Sequence, residues 1–312
     1  MAQARWWEMP GRITSRRALL GGGAVLAMLH AAATARAQAP ADPLVPVPIP
    51  RVAVTEGIAA LADTRLWFQD TGGTGEPIVL VHPASGSALI WGYQQAAFAK
   101  AGYRVIAYSR RGYYGSAPTD RAKPGTGADD LQGLVEFLRL GKFHAVASAA
   151  GGSVASDYAF SYPDRLLSLT VSSNQFGVVD GDIAAAGARI RPKIWDEIPV
   201  EFREVGPSYR AVNPDGFRLW VELERKSGLV DAFRQPLKNR ITDAMLATLA
   251  VPTLVISGAA DLATPPSISR MIAAKIPNAE LVVAPEAGHS VYWEAPEVFN
   301  RAVLAFVGKH GR

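Results

Sequence analysis

Two side chains able to handle a proton stand late in the chain, each just behind an apolar run. Asp261 closes Gly258-Ala259-Ala260-Asp261, and His289 closes Ala287-Gly288-His289. A carboxylate that holds one ring nitrogen of an imidazole fixes its tautomer and leaves the other nitrogen free for acid–base work. A third feature comes earlier, in Val146-Ala147-Ser148-Ala149-Ala150-Gly151-Gly152. Small residues two before and two after Ala149 suit a sharp strand-to-helix turn with a strained apex. Gly152 would let the following helix approach closely. The apex of such a turn is where a nucleophile belongs, yet Ala149 offers only a methyl group, which cannot attack a carbonyl. A shift of one residue makes Ser148 the alternative nucleophile. That register puts Val146 and Ala150 at the small positions and displaces the double glycine. Ser85, Ser87, Ser153, Ser172 and Ser173 supply other hydroxyls, none of them at the apex.

These residues need elements to position them. Ile78–Val81 is a continuous apolar run of the kind a buried parallel strand requires. Arg65–Phe68, Arg104–Tyr108, Phe143–Ala147, Leu166–Ser172, Pro252–Ser257 and Glu280–Ala284 read as further strands. Helical spacing is predicted over 91–101, 128–139, 148–162, 267–276 and 295–307. Strand–helix alternation predicts an α/β fold: a mostly parallel sheet with helices on both faces. Right-handed crossovers gather the strand C-termini on one edge, where ligands bind. His82, Ala149, Asp261 and His289 all follow a predicted strand. The alternation stops between Phe176 and Met245, which holds Trp195, Phe202, Tyr209, Phe217, Trp220 and Phe233. It reads as a helical lid insertion over about 176–247, with most of its aromatics packing its own small core and a few facing a ligand.

The N-terminus reads as an export signal. Arg16-Arg17 precedes an apolar run to Ala33, and Ala35-Arg36-Ala37 offers a cleavage site, a twin-arginine pattern over 1–37. The apolar run is short for a bilayer span, so no stable membrane anchor is expected after cleavage, and the protein is expected to be periplasmic or secreted. Pro40, Pro43, Pro46, Pro48 and Pro50 mark a proline-rich linker over 38–51, leaving 52–312 as the domain. The chain carries 32 basic and 28 acidic residues; without the five arginines and one glutamate of 1–37, 27 of each remain. Its basic character belongs to the leader and gives no reason to expect nucleic acid as a partner. There are no cysteines, which excludes a disulfide framework and thiolate chemistry. The five histidines are scattered without ligand spacing, so neither metal nor cofactor is expected.

Taken in order, Val81-His82-Pro83-Ala84-Ser85-Gly86-Ser87, Tyr108-Ser109-Arg110-Arg111-Gly112-Tyr113-Tyr114-Gly115-Ser116, the turn at Ala149, Gly-x-x-Asp at Asp261, and Gly-His before Trp293-Glu294-Ala295-Pro296 resemble the α/β-hydrolase superfamily. The resemblance runs over most of residues 52–310. It implies an α/β-hydrolase fold, His289 as base, Asp261 as its acid partner, and the N–H groups of Ala84 and Ala150 as the oxyanion hole. Two positions depart from the pattern: Pro83 stands where glycine is common, and Ser109 where aspartate is common. His82 is expected to be structural.

Three readings stay open. The His289–Asp261 pair works as a general base on a small, largely apolar carbonyl substrate such as an ester, lactone or related ketone. Alternatively the protein is a non-catalytic ligand-binding relative that keeps the pocket. The third reading is a serine esterase whose nucleophile has been exchanged for alanine.

Overall fold

A computed structural model describes residues 48–228 and 233–311. The export signal expected over 1–37 and most of the proline-rich linker lie outside the described residues. Eight strands form one sheet: β1 Thr55–Ala60, β2 Arg65–Asp70, β3 Pro77–Val81, β4 Arg104–Tyr108, β5 Phe143–Ser148, β6 Leu166–Ser172, β7 Thr253–Gly258 and β8 Glu280–Ala284. Their order across the sheet is β1-β2-β4-β3-β5-β6-β7-β8. β1 and β2 are antiparallel, as are β2 and β4, while every pair from β4 to β8 is parallel. The edge strand β1 was not foreseen. Its exposed, irregular pattern carries no alternation to read, and it is held by its register against β2.

The helices are α1 Gly92–Lys100, α2 Gly127–Phe137, α3 Ala150–Ser161, α4 Gly181–Ile190, α5 Val200–Glu204, α6 Pro207–Val212, α7 Pro214–Ser227, α8 Asp243–Leu246, α9 Pro266–Lys275, α10 Val291–Glu294 and α11 Pro296–His310. Side chains alternate along each strand, so the sheet feeds a core on each face. Val79 and Val81 join Leu131, Leu134, Val154 and Ile272 on one side. Ile78 and Leu80 join Trp91, Phe98, Phe299 and Val303 on the other. β3 sits between β4 and β5, so the chain turns outward in opposite directions from it. A switch of this kind opens a crevice at the strand C-termini.

Five of the helices, α4 to α8, lie between β6 and β7, where the helical insertion is predicted. Their aromatics do not build the separate small core that the sequence suggested. Tyr209 and Trp220 are buried in the same cluster as Trp91, Tyr292 and Trp293, because α7 packs on the turn Ala88–Trp91. Phe202 is instead exposed at 45%.

A buried ion pair ties the loop after β4 to α2. Arg111 Nε donates to Asp130 Oδ2 at 2.7 Å, and both residues are under 5% exposed. Removing Asp130 leaves the buried Arg111 charge only the exposed Asp63 as an ion-pair partner, at a cost of about 3 kcal/mol. Urea denaturation should therefore show Asp130→Ala destabilised by about that amount, with the double variant Arg111→Met/Asp130→Leu recovering most of it.

Candidate active site

The site is built at the switch point, from the loops that follow β3, β5, β7 and β8. Ala149 links β5 directly to α3 with φ 46° and ψ −123°, a conformation that L-residues avoid. Its N–H is anchored to Ser172 O at 2.9 Å. The cause is the tight seat of α3. A Cβ on Gly151 would stand 2.2 Å from Val81 O and 2.6 Å from His82 O. One on Gly152 would stand 2.7 Å from Val171 and 2.8 Å from Asn174. Both glycines let the helix start press against the ends of β3 and β6, and Ala149 absorbs the bend.

Ala149, not Ser148, therefore occupies the apex of the turn. Ser148 is the last residue of β5, fully buried, paired with Ser172, and its Oγ has no partner among the described residues. Of the other hydroxyls, Ser87 caps the turn before α1 and Ser172 is buried in β6. Ser85, Ser153 and Ser173 line a cavity of about 550 Å3 together with Ala84, Ala149, Ala150 and His289. Neither the Ala84 N–H nor the Ala150 N–H is used in a hydrogen bond among the described residues.

His289 and Asp261 meet as the sequence suggested. Nδ1 of His289 lies 2.9 Å from both Asp261 oxygens. Asp261 Oδ1 also accepts from the N–H groups of Ala263 at 2.7 Å and Thr264 at 2.9 Å. Burial opposes charge on this carboxyl, but the imidazole and the two N–H donors outweigh it and hold it below the usual carboxylate range. Burial likewise opposes charge on the imidazole. The carboxylates of Asp261, Glu204 and Glu294 override it and take His289 up to about 9. His82 is structural: its Nδ1 donates to Pro83 O at 2.7 Å and its Nε2 accepts from the Arg110 N–H at 2.9 Å. Burial, helped by the Arg110 charge, pushes it well below the ordinary histidine value and keeps it neutral.

Two carboxylates were missed in the sequence. Glu204, at the end of α5, accepts from Ser85 Oγ at 3.2 Å, while its backbone oxygen accepts from the Ser290 N–H at 2.9 Å. Loss of water around its carboxyl raises its pKa, partly offset by His289 and Ser85. Nothing marks Glu204 in sequence, since it sits among other charges. Glu294 had a signal, the Trp293-Glu294-Ala295-Pro296 run. It accepts from the N–H groups of Gly206 and Gly288, both at 2.8 Å, and of Ser290 at 3.1 Å. Burial pushes its carboxyl up to about 7 against those three donors. The cavity also departs from the expected apolar one. Trp195, Val200 and Phe233 line it, but so do Arg110, Arg191, Arg203, Glu204 and Glu224. The aromatics that would have lined an apolar wall are committed elsewhere, Tyr209 and Trp220 to the core and Phe202 to the surface.

Known proteins share this arrangement of chain. The profile described as "Alpha/beta hydrolase family" matches residues 78–302. A 2-hydroxy-6-oxononadienedioate/2-hydroxy-6-oxononatrienedioate hydrolase of Burkholderia vietnamiensis is 27% identical over 78% of this chain and 91% of its own length. A thermophilic esterase from Thermogutta terrifontis, solved with malate bound, superposes with a TM-score of 0.66 at 26% identity, over 82% of this chain and all of the other. The enol-lactonase of Burkholderia xenovorans shares the fold at a TM-score of 0.65 and 23% identity, over 81% and 100%.

Two outcomes follow from the geometry. Ala149→Gly should stabilise the protein by about 1 kcal/mol in chemical denaturation, because relief of backbone strain exceeds the extra chain entropy of glycine. In NMR titration the His289 ring should titrate at about 9. In Asp261→Asn its pKa should fall, because burial then meets less opposing charge.

Proposed function

The chain belongs to the alpha/beta hydrolase family, and we propose that it is a hydrolase-class enzyme for a small carbonyl compound in which the His289–Asp261 pair moves the proton and no serine attacks. The observation that carries this reading is the oriented imidazole, 2.9 Å from both Asp261 oxygens, on the same cavity wall as Ala149 and the two unused N–H groups. A ligand-binding pocket has no need of a ring held this way.

The chemistry runs without a covalent intermediate. The neutral His289 Nε2 takes a proton from water as its oxygen bonds to the carbonyl carbon. The N–H groups of Ala84 and Ala150 hold the developing oxyanion. Collapse of the tetrahedral anion breaks the bond to the leaving group, which takes the proton back from the imidazolium. Asp261 keeps Nδ1 protonated and balances the ring's charge. The helices between β6 and β7 serve as a lid over this edge, and the N-terminal pattern sends the protein out of the cytoplasm.

The high affinity of His289 for its proton sets the pH dependence. At pH 7 only about one ring in a hundred is neutral, so turnover should climb roughly tenfold per pH unit and level off near 9. Glu204→Gln removes one of the charges holding that proton and should move the rising limb to lower pH.

The strained backbone at Ala149 favours a second reading, a serine-type frame that has lost its nucleophile, since alanine gains nothing from that conformation. Aryl-ester assays separate the two. On the second reading Ala149→Ser raises turnover by about a thousandfold or more, with fluorophosphonate labelling at the substituted position, and the parent is silent. On the first, the parent turns over substrate and His289→Ala abolishes it. Parental activity unchanged in His289→Ala would remove the general base from consideration.

A further inference from the structure

The cavity holds more positive charge than its own carboxylates neutralise. Of the cavity arginines, Arg111 is fully occupied by Asp130 and Asp63. Arg191 and Arg203 are not. Both guanidinium groups rest on the ring of Trp195, with centroid distances of 5.0 Å and 5.3 Å. Neither forms an ion pair among the described residues. Arg110 faces the same cavity from the loop after β4. Its guanidinium stacks on Tyr113 at 4.7 Å and donates to the Tyr113 hydroxyl at 3.3 Å, yet its Nε is buried without a partner.

Two like charges sharing one indole repel each other, and Arg110 and Arg234 on the same cavity add to the cost. Aromatic stacking orients a guanidinium plane while leaving its N–H edge free. That edge is the part that forks onto a carboxylate. Of the two acidic groups on the cavity, Glu204 is engaged with Ser85 and the His289 loop, and Glu224 is raised toward its neutral form by loss of water and by Glu201. Neither forms an ion pair with these arginines.

We propose that Arg191, Arg203 and Arg110 form an anion subsite that binds a carboxylate carried by the substrate, so that the enzyme selects acidic carbonyl compounds over neutral ones. The proposal rests on the reading of this cavity as the substrate site. A carboxylate suits it better than a phosphate dianion, because Glu204 shares the cavity and repels two charges concentrated on one group more than charges spread over the two separated carboxylates of a dicarboxylate.

Binding is measured on the unmodified protein by calorimetry at low salt, with glutarate, its neutral diamide and inorganic phosphate as probes. Glutarate should bind at least tenfold more tightly than the diamide, and the preference should shrink as salt rises. The double variant Arg191→Gln/Arg203→Gln should abolish it, and Arg110→Gln should reduce it. Equal binding of glutarate and diamide, a salt-independent preference, or a preference kept in the double variant would overturn the subsite. Tighter binding of phosphate than of glutarate would overturn its assignment to carboxylates. Because no turnover is needed, the two conclusions fail separately. A protein that prefers glutarate but turns nothing over loses the proposed reaction alone. One that hydrolyses neutral esters without preferring glutarate loses the subsite alone.

Discussion

The seating of α3 against the ends of β3 and β6 is the constraint from which the site follows. Backbone carbonyls of Val81 and His82 come so close to Gly151 that no side chain fits there. A helix start pressed this far into a sheet cannot be reached by an ordinary strand exit, so the connecting residue takes the cost in its own dihedrals. That single bend leaves Ala149 and Ala150 on the wall of the cavity that Ala84 and His289 also line. The frame is independent of what stands at its apex, which is why an alanine can occupy it with the surrounding geometry intact.

Charge organises the rest. One imidazole is surrounded by Asp261, Glu204 and Glu294, and each carboxylate is fixed by a different means: paired N–H donors at Ala263 and Thr264, the Ser85 hydroxyl, and three loop N–H groups. Buried carboxylates survive only where such donors replace water. The proton affinity of His289 is thus a property of the group, not of the Asp261 contact alone. The arginines line the same cavity as this imidazole, so carboxylate and guanidinium groups share one space.

Much of this was legible in the sequence, for identifiable reasons. Continuous apolar runs such as Ile78–Val81 exposed the central strands, and the small residues around Ala149 exposed the turn. Asp261 and His289 were found because each follows a strand. β1 was lost because an edge strand facing water needs no alternation. Glu204 was lost because its partners, Ser85 and Ser290, are brought to it by α5 from distant parts of the chain. The same cause explains the misjudged cavity lining. Aromatic residues between β6 and β7 could be counted, but only packing decides that Trp220 faces the core while Trp195 carries two arginines.

Glu294 has a mechanical side. One of its oxygens holds the N–H of Gly206, just after α5, and the N–H of Gly288, just before the histidine. The two glycines also touch so closely that neither tolerates a Cβ. The wall bearing Glu204 and the loop bearing His289 are therefore riveted into one rigid body. Swinging that wall aside to admit a ligand would pull the imbedded ring off Asp261. A ligand that leaves the pair intact must therefore enter and leave without moving that wall.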